Sequence, residues 1–187
     1  MKITKTIAEK IVISGIEHQD DIAVYLEDLG PGIGKMTITC FDEAWSHFWG
    51  AMGECTIKEF VLSCDNHYLS KKFSPDLKQY INDTDLLAVD CKKKIIEMRK
   101  ICDLTEDEAR DFYDSVDAFQ NDIINHHDVL YRIYGDEWWC CLPKQKNHEY
   151  ERFSDILDVI KQALRQEEHV CNYDQHGVCK CGTILRL

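Results

Sequence analysis

IAVYLEDLGPGIGKMTITC, residues Ile22 to Cys40, is the stretch on which the fold turns. Ile22, Val24 and Leu26 alternate with Ala23, Tyr25 and Glu27, and Met36, Ile38 and Cys40 alternate with Thr37 and Thr39. A period of two belongs to a strand with one buried face. Between the runs stands Gly30-Pro31-Gly32-Ile33-Gly34, and glycine and proline suit a chain reversal because one tolerates positive φ and the other fixes φ. The stretch therefore predicts an antiparallel β-hairpin. The same glycines, followed by Lys35, invite a phosphate-loop reading, which needs four residues between its glycines and then Lys and a hydroxyl side chain. Three residues separate Gly30 from Gly34, and Met36 stands in the hydroxyl position. The turn reading wins.

Upstream, Ile3 to Ile13 holds short β-branched runs, and in a strand Ile11 and Ile13 share a face. Downstream, Phe41 to Gly53 reads FDEAWSHFWGAMG. Trp45, Phe48, Trp49 and Met52 fall three to four residues apart, which predicts a short helix capped by Asp42, ended by Gly50 and Gly53, with its aromatic face on the sheet. His47 lies off that face. In Thr56 to Cys64, Ile57, Phe60 and Leu62 alternate imperfectly with Glu59 and Ser63, and a further strand is expected. Asp65 to Asp83 is polar, contains Pro75, and is expected to hold a short helix around Tyr68 and a loop.

Helical periodicity then takes over. From Thr84, Leu87, Cys91, Ile95, Met98 and Cys102 recur at helical spacing, with Lys92, Lys93, Lys94, Arg99 and Lys100 on the polar side. Thr105-Glu106-Asp107-Glu108 is a capping box and starts a new helix. Its apolar stripe is Ala109, Phe112, Val116, Phe119 and Ile123, while Asp107, Asp111, Asp114 and Asp117 project from the other side as a negative ridge with only Arg110 nearby. A solvated helix face accounts for such a ridge; the sharper reading is that it presents carboxylates where a basic protein surface expects phosphates. His126 and His127 are adjacent, point to different faces, and are read as structural or surface residues. Trp138 to Leu142 reads as a short buried extended segment stopped by Pro143, with Cys140 and Cys141 on opposite sides. Glu149 to Gln166 is a last helix with Phe153, Ile156, Leu157, Ile160, Ala163 and Leu164 on its core face.

The 187 residues are 44% apolar and 30% charged, a soluble globular composition. Nothing approaches the length of a spanning helix, and MKITKTIAEK is no secretory signal, so a cytoplasmic location is expected. Reduced thiols follow from that compartment; Cys40, Cys55, Cys64, Cys91 and Cys102 are read as small core residues. A net charge of −12, from 34 acidic and 22 basic residues, opposes direct binding to nucleic acid and favours a basic partner. Solubility is the plainer reason for such a charge.

One cysteine group has ligand spacing. His169-Val170-Cys171 is followed by His176 and by Cys179-Lys180-Cys181-Gly182. Cys171, Cys179, Cys181 and either His169 or His176 make a four-ligand structural zinc knuckle; a tail of free thiols is the competing reading, since knuckles use C-x-x-C and this is C-x-C. No G-x-S-x-G, H-E-x-x-H or phosphate loop is present, a pair such as Cys64 and His67 is expected by chance, and no catalytic residue is assigned. An enzyme of unrecognised type would need a cysteine, a histidine and an acid gathered in one pocket.

The stretch W-S-H-F-W-G-A-M-G, Trp45 to Gly53, behind the hairpin from Ile22 to Phe41, resembles a group of small acidic accessory proteins of lambdoid phages and enterobacterial prophages. The resemblance covers roughly the first 65 residues and transfers no catalytic residue. It implies a protein made in the cytoplasm of an infected bacterium, from a genome region where anti-defence factors are common.

The expectation is an α+β fold: an N-terminal antiparallel meander packed against several helices as one domain over residues 1–166, and a Cys/His-rich tail over 167–187. The expected function is a phage-encoded acidic interaction protein, not an enzyme. It would inhibit a host defence or nucleic-acid-handling complex, for instance as an anti-CRISPR, by stoichiometric binding as a nucleic-acid mimic. The partner surface would be basic and belong to a host or phage protein complex, with no membrane involved. The alternatives are a zinc-binding regulatory or adaptor module and an enzyme of unrecognised type.

Overall fold

The computed structural model describes residues 3, 7–117, 119 and 126–167. The fold is α+β, and its contacts divide the described residues into two compact units, those up to Leu77 together with those from His148 onward, and those between Lys78 and Asn147.

In the first unit, β1 (Glu9–Ile13), β2 (Ile22–Gly30), β3 (Ile33–Cys40) and β4 (Glu43–Trp49) form an antiparallel meander in the order β1-β2-β3-β4. The predicted hairpin is β2 and β3, with Val24 opposite Ile38 and Leu26 opposite Met36. Its alternation sorts the side chains: Ile22, Val24, Leu26, Met36, Ile38 and Cys40 are buried, and Ile11 and Ile13 of β1 pack beside them. The other face keeps polar contacts, including Thr37 with Ser46 at 2.8 Å and Lys10 over the Tyr25 ring. Three helices cover the apolar face: α1 (Ile57–Ser63), α2 (Asn66–Phe73) and α6 (His148–Glu167). Ile57, Val61, Leu69, Phe73, Phe153, Ile156, Leu157, Ile160 and Leu164 close the core, each large side chain contributing about 1.5–3 kcal/mol on burial.

Two local expectations fail in this unit. Phe41 to Gly53 is not a helix: β4 runs through it, joined to β3 by a two-residue turn at Phe41 and Asp42. Trp45 and Trp49 satisfy a period of two as well as a period near four, and the tight turn lets the two-residue pattern win, with Trp45 opposite Ile38 and Trp49 opposite Gly34. Thr56 to Cys64 is not a strand but α1, because Thr56 and Glu59 make a capping box in which Glu59 accepts from the Thr56 N–H at 2.9 Å. Asp28 of β2 ties this helix to the sheet by accepting from the Ile57 N–H at 2.7 Å. Glycine is required at Gly32, where φ is +65° and an added Cβ would meet the Gly53 carbonyl oxygen at 1.9 Å.

The second unit contains β5 (Tyr80–Asn82), α3 (Thr84–Lys100), α4 (Glu106–Val116), α5 (His127–Tyr134) and β6 (Lys144–Lys146). Leu87, Cys91, Ile95, Leu104, Val116, Phe119, Val129 and Leu130 form its own core. β5 and β6 pair as a short antiparallel ribbon. The segment Trp138 to Cys140 is a 3₁₀ turn, not an extended strand, and Trp139, Cys140 and Cys141 are exposed. Cys40 and Cys91 are buried and Cys64 is half-buried, but Cys55 and Cys102 are exposed and do not serve the core.

Candidate interaction surface

The acidic ridge is built by α4. Thr105 caps the helix, its hydroxyl accepting from the Glu108 N–H at 3.3 Å while Glu108 accepts from the Thr105 N–H at 2.8 Å. That backbone bond, then the Thr105 hydroxyl, holds the Glu108 carboxyl below its usual range. Val116 is buried and Ala109 and Phe112 pack against the core, so the helix is fixed in rotation. At 100° per residue, roughly, Asp107, Asp111 and Asp114 then lie opposite that stripe, and all are exposed. Asp117, the C-cap residue, lies to one side and is, among the described residues, the ridge carboxylate with an ion pair, to Lys92 Nζ at 2.5 Å. That bond raises the Lys92 ammonium above its ordinary value.

Among the described residues, Asp107 and Asp111 have no ion pair or hydrogen bond from their side chains. Like charges three or four residues apart on a helix cost about 0.2–0.5 kcal/mol per pair, so the ridge works against the stability of its own helix. Asp107 is eased by the positive N-terminal end of the helix dipole, but Asp111 and Asp114 lie beyond the first turn, where that effect has fallen away. The four aspartates span ten residues, about 15 Å at 1.5 Å per residue.

The neighbouring elements are held by polar contacts of their own. Arg132 of α5 bonds Asp103 through its guanidinium at 3.0 Å. The Tyr134 hydroxyl donates to Asp90 at 2.5 Å, and burial together with that carboxylate pushes the phenol up. His127 stacks against Tyr131, and His126 packs against Phe119, which agrees with structural roles for both.

The first unit contains a cleft of about 500 Å³ that gathers Asp20, Cys40, His148, Arg152 and Asp155. Cys40 is only 1% exposed, its Sγ lies 4.0 Å from the Asp20 carbonyl, and burial pushes its thiol up. Such a thiol is a weak nucleophile. Arg152 at the cleft is engaged with Glu43. The pair Cys64 and His67 is not joined either: His67 Nδ1 bonds the Tyr150 hydroxyl at 3.1 Å, and burial raises the Cys64 thiol. Among the described residues no group of three or more His, Cys, Asp or Glu side chains is placed to hold a metal. The zinc candidates His169, Cys171, His176, Cys179 and Cys181 lie outside the described residues.

A family model described as a phage family, Phage_phiTE_072, matches residues 1–166. The chain belongs to that family. No curated protein and no solved structure matches it. The family match takes in the meander, the ridge of this phage protein and α6 to residue 166, and stops short of the cysteine-rich tail. Among the described residues of the phage protein, no helix is long and apolar enough to cross a membrane.

Proposed function

We propose that this phage protein is a stoichiometric inhibitor that binds a basic surface of a host or phage nucleic-acid-handling complex in the bacterial cytoplasm. The ridge Asp107, Asp111, Asp114 and Asp117 is its contact surface. The carrying observation is that exposed carboxylates are lined along α4 at a cost to the helix and, among the described residues, without partners at Asp107 and Asp111. Asp107, Asp111 and Asp114 follow one another at a mean axial spacing of about 5 Å, wider than the roughly 3.4 Å per phosphate along one strand of a duplex, and Asp117 is neutralised by Lys92. The ridge thus offers a basic groove a line of negative charge of the same order, though sparser than a nucleic-acid strand.

The phage family supports the setting. Within that setting the target is proposed to be a defence complex, with a CRISPR effector as one candidate, and the host of the phage to be an enterobacterium, on the resemblance carried by Trp45 to Gly53. No residue is assigned to catalysis. The test is co-purification of the tagged full chain from infected cells, in parallel with the triple variant Asp107→Lys, Asp111→Lys and Asp114→Lys. The wild-type chain should retain a defined partner that the reversed ridge loses. Equal recovery of that partner by both would remove the ridge from the interface.

A further inference from the structure

The apolar residues of α3 divide between two faces. Leu87, Cys91 and Ile95 enter the core, whereas Leu86, Val89 and Ile96 are 53%, 50% and 45% exposed and fall together on the outward side. Lys93 and Lys100 share that outward stripe at helical spacing. Beside Ile96 a groove of about 370 Å³ opens between α3 and α4, lined by Arg99 and Lys100 from α3 and by Ala109, the half-exposed Tyr113, Asp114 and the Glu106–Arg110 ion pair from α4. A functionless solvated helix would carry polar residues at Leu86, Val89 and Ile96.

The charge around this apolar strip is unlike that of the chain. Lys92 to Lys100 contains five basic residues and one acid, Glu97, in a protein of net charge −12. Lys92 is taken by Asp117, and Lys94 lies 5.0 Å from the centre of the Tyr134 ring. Lys93, Arg99 and Lys100 have no ion pair among the described residues. Repulsion from distant acids is screened beyond about 8–10 Å in physiological salt; at the groove itself Glu106 is paired with Arg110, and among the described residues Asp114 stands as the unpaired acid of the lining against Arg99 and Lys100.

We propose that the outward face of α3, with the groove beside Ile96, is a docking site for an acidic amphipathic helix of a partner protein. Leu86 to Ile96 spans ten residues, about 15 Å or three turns, the length over which apolar anchors at i, i+3, i+4 and i+7 engage a groove. Acidic flanks on that helix would meet Lys93, Arg99 and Lys100. A second copy of this chain fits poorly: its α4 ridge has turned its apolar stripe into its own core, and two α3 faces would set lysine against lysine.

The probe is a fluorescein-labelled peptide of about fourteen residues, near the length at which an alanine-rich helix becomes marginally stable, with leucines at helical spacing and glutamates on both flanks. The full chain should bind it saturably in fluorescence anisotropy. Ile96→Asp, and separately the pair Lys93→Glu with Lys100→Glu, should each weaken binding at least tenfold, with circular dichroism unchanged. Absence of saturable binding would overturn the proposal, and so would equal affinity for the same peptide carrying lysines in place of glutamates. Sedimentation of the chain alone supplies a further check: a dimer dispersed by Ile96→Asp would assign the face to self-association and overturn the proposal. Asp114 belongs to both the ridge and the groove, so the two readings are separated with the double variant Asp107→Lys and Asp111→Lys, which leaves the groove lining unchanged: it should lose the basic partner and keep the peptide.

Discussion

The two units handle apolar surface differently. In the first, a sheet face is sealed by α1, α2 and α6, and seventeen buried side chains among the described residues form one cluster. In the second, eight buried side chains among the described residues hold α3, α4 and α5 together; both units leave large apolar side chains exposed, Val12, Phe41 and Phe48 in the first and Leu86, Val89, Ile96, Ile101 and Tyr131 in the second. The first unit also leaves its charges mixed, whereas in the second α3 carries five basic residues against three acids and α4 five acids against Arg110 alone. On the proposed reading, the contrast in core size and in charge sorting gives scaffold duty to the meander and recognition duty to the helices, since unpaired like charges reduce stability.

The largest expected effect is in the sealed core. Phe153→Ala removes a ring that contacts Trp45 and Phe73 and should cost about 3–5 kcal/mol in denaturant unfolding. A cost under about 1 kcal/mol would deny the scaffold its core. Leu87→Ala, fully buried in the second unit, should cost about 2–5 kcal/mol, and hydrogen exchange should show the loosening along α3. Thr105→Ala removes the cap of the ridge helix and should cost about 1 kcal/mol, read as a lower unfolding midpoint.

The next effect is set by acid. Glu59 and Glu108 each accept from their cap's backbone N–H first and its hydroxyl second, so their folded pKa values lie below the unfolded one. Their stabilisation is complete above about pH 4.3 and is lost as pH falls through the folded values. Glu108→Gln should therefore flatten part of the stability decline below that pH in a denaturant series; an unchanged slope would contradict the capping box. The smallest effect has the opposite sign. Asp111→Lys relieves repulsion from Asp107 and Asp114 and should raise stability by roughly 0.2–0.5 kcal/mol. Destabilisation in a thermal melt would mean that the ridge supports the fold, not a partner.

The readable parts of the chain were those where one period stands alone. Ile22 to Cys40 alternates around a glycine-rich turn, and α3, α4 and α6 carry unbroken apolar stripes, so their types follow from pattern. Trp45 to Met52 fits two periods at once, and only pairing with β3 selects between them. For α1 the signal was present in Thr56-Ile57-Lys58-Glu59, the same capping-box chemistry as at Thr105, but the imperfect alternation of Ile57, Phe60 and Leu62 points the other way. The ridge was legible because a helix face follows from spacing. The docking groove was not, because Ile96 and Tyr113 are neighbours only through the packing of α3 against α4.

The ribbon of β5 and β6 has a consequence for folding order. Asn147 donates its backbone N–H to the Gln79 carbonyl at 3.0 Å and its side-chain amide to the Lys78 carbonyl at 2.9 Å, so the first and last residues of the second unit lie side by side. The scaffold is interrupted in sequence by the 70 residues from Lys78 to Asn147. Bringing α6 to the sheet around an open chain of that length carries a length-dependent closure entropy of about 4 kcal/mol, from (3/2)RT ln n. Once the ribbon has formed, the same excursion is already cinched at its neck, and α6 is delivered to the meander as though it followed a short turn.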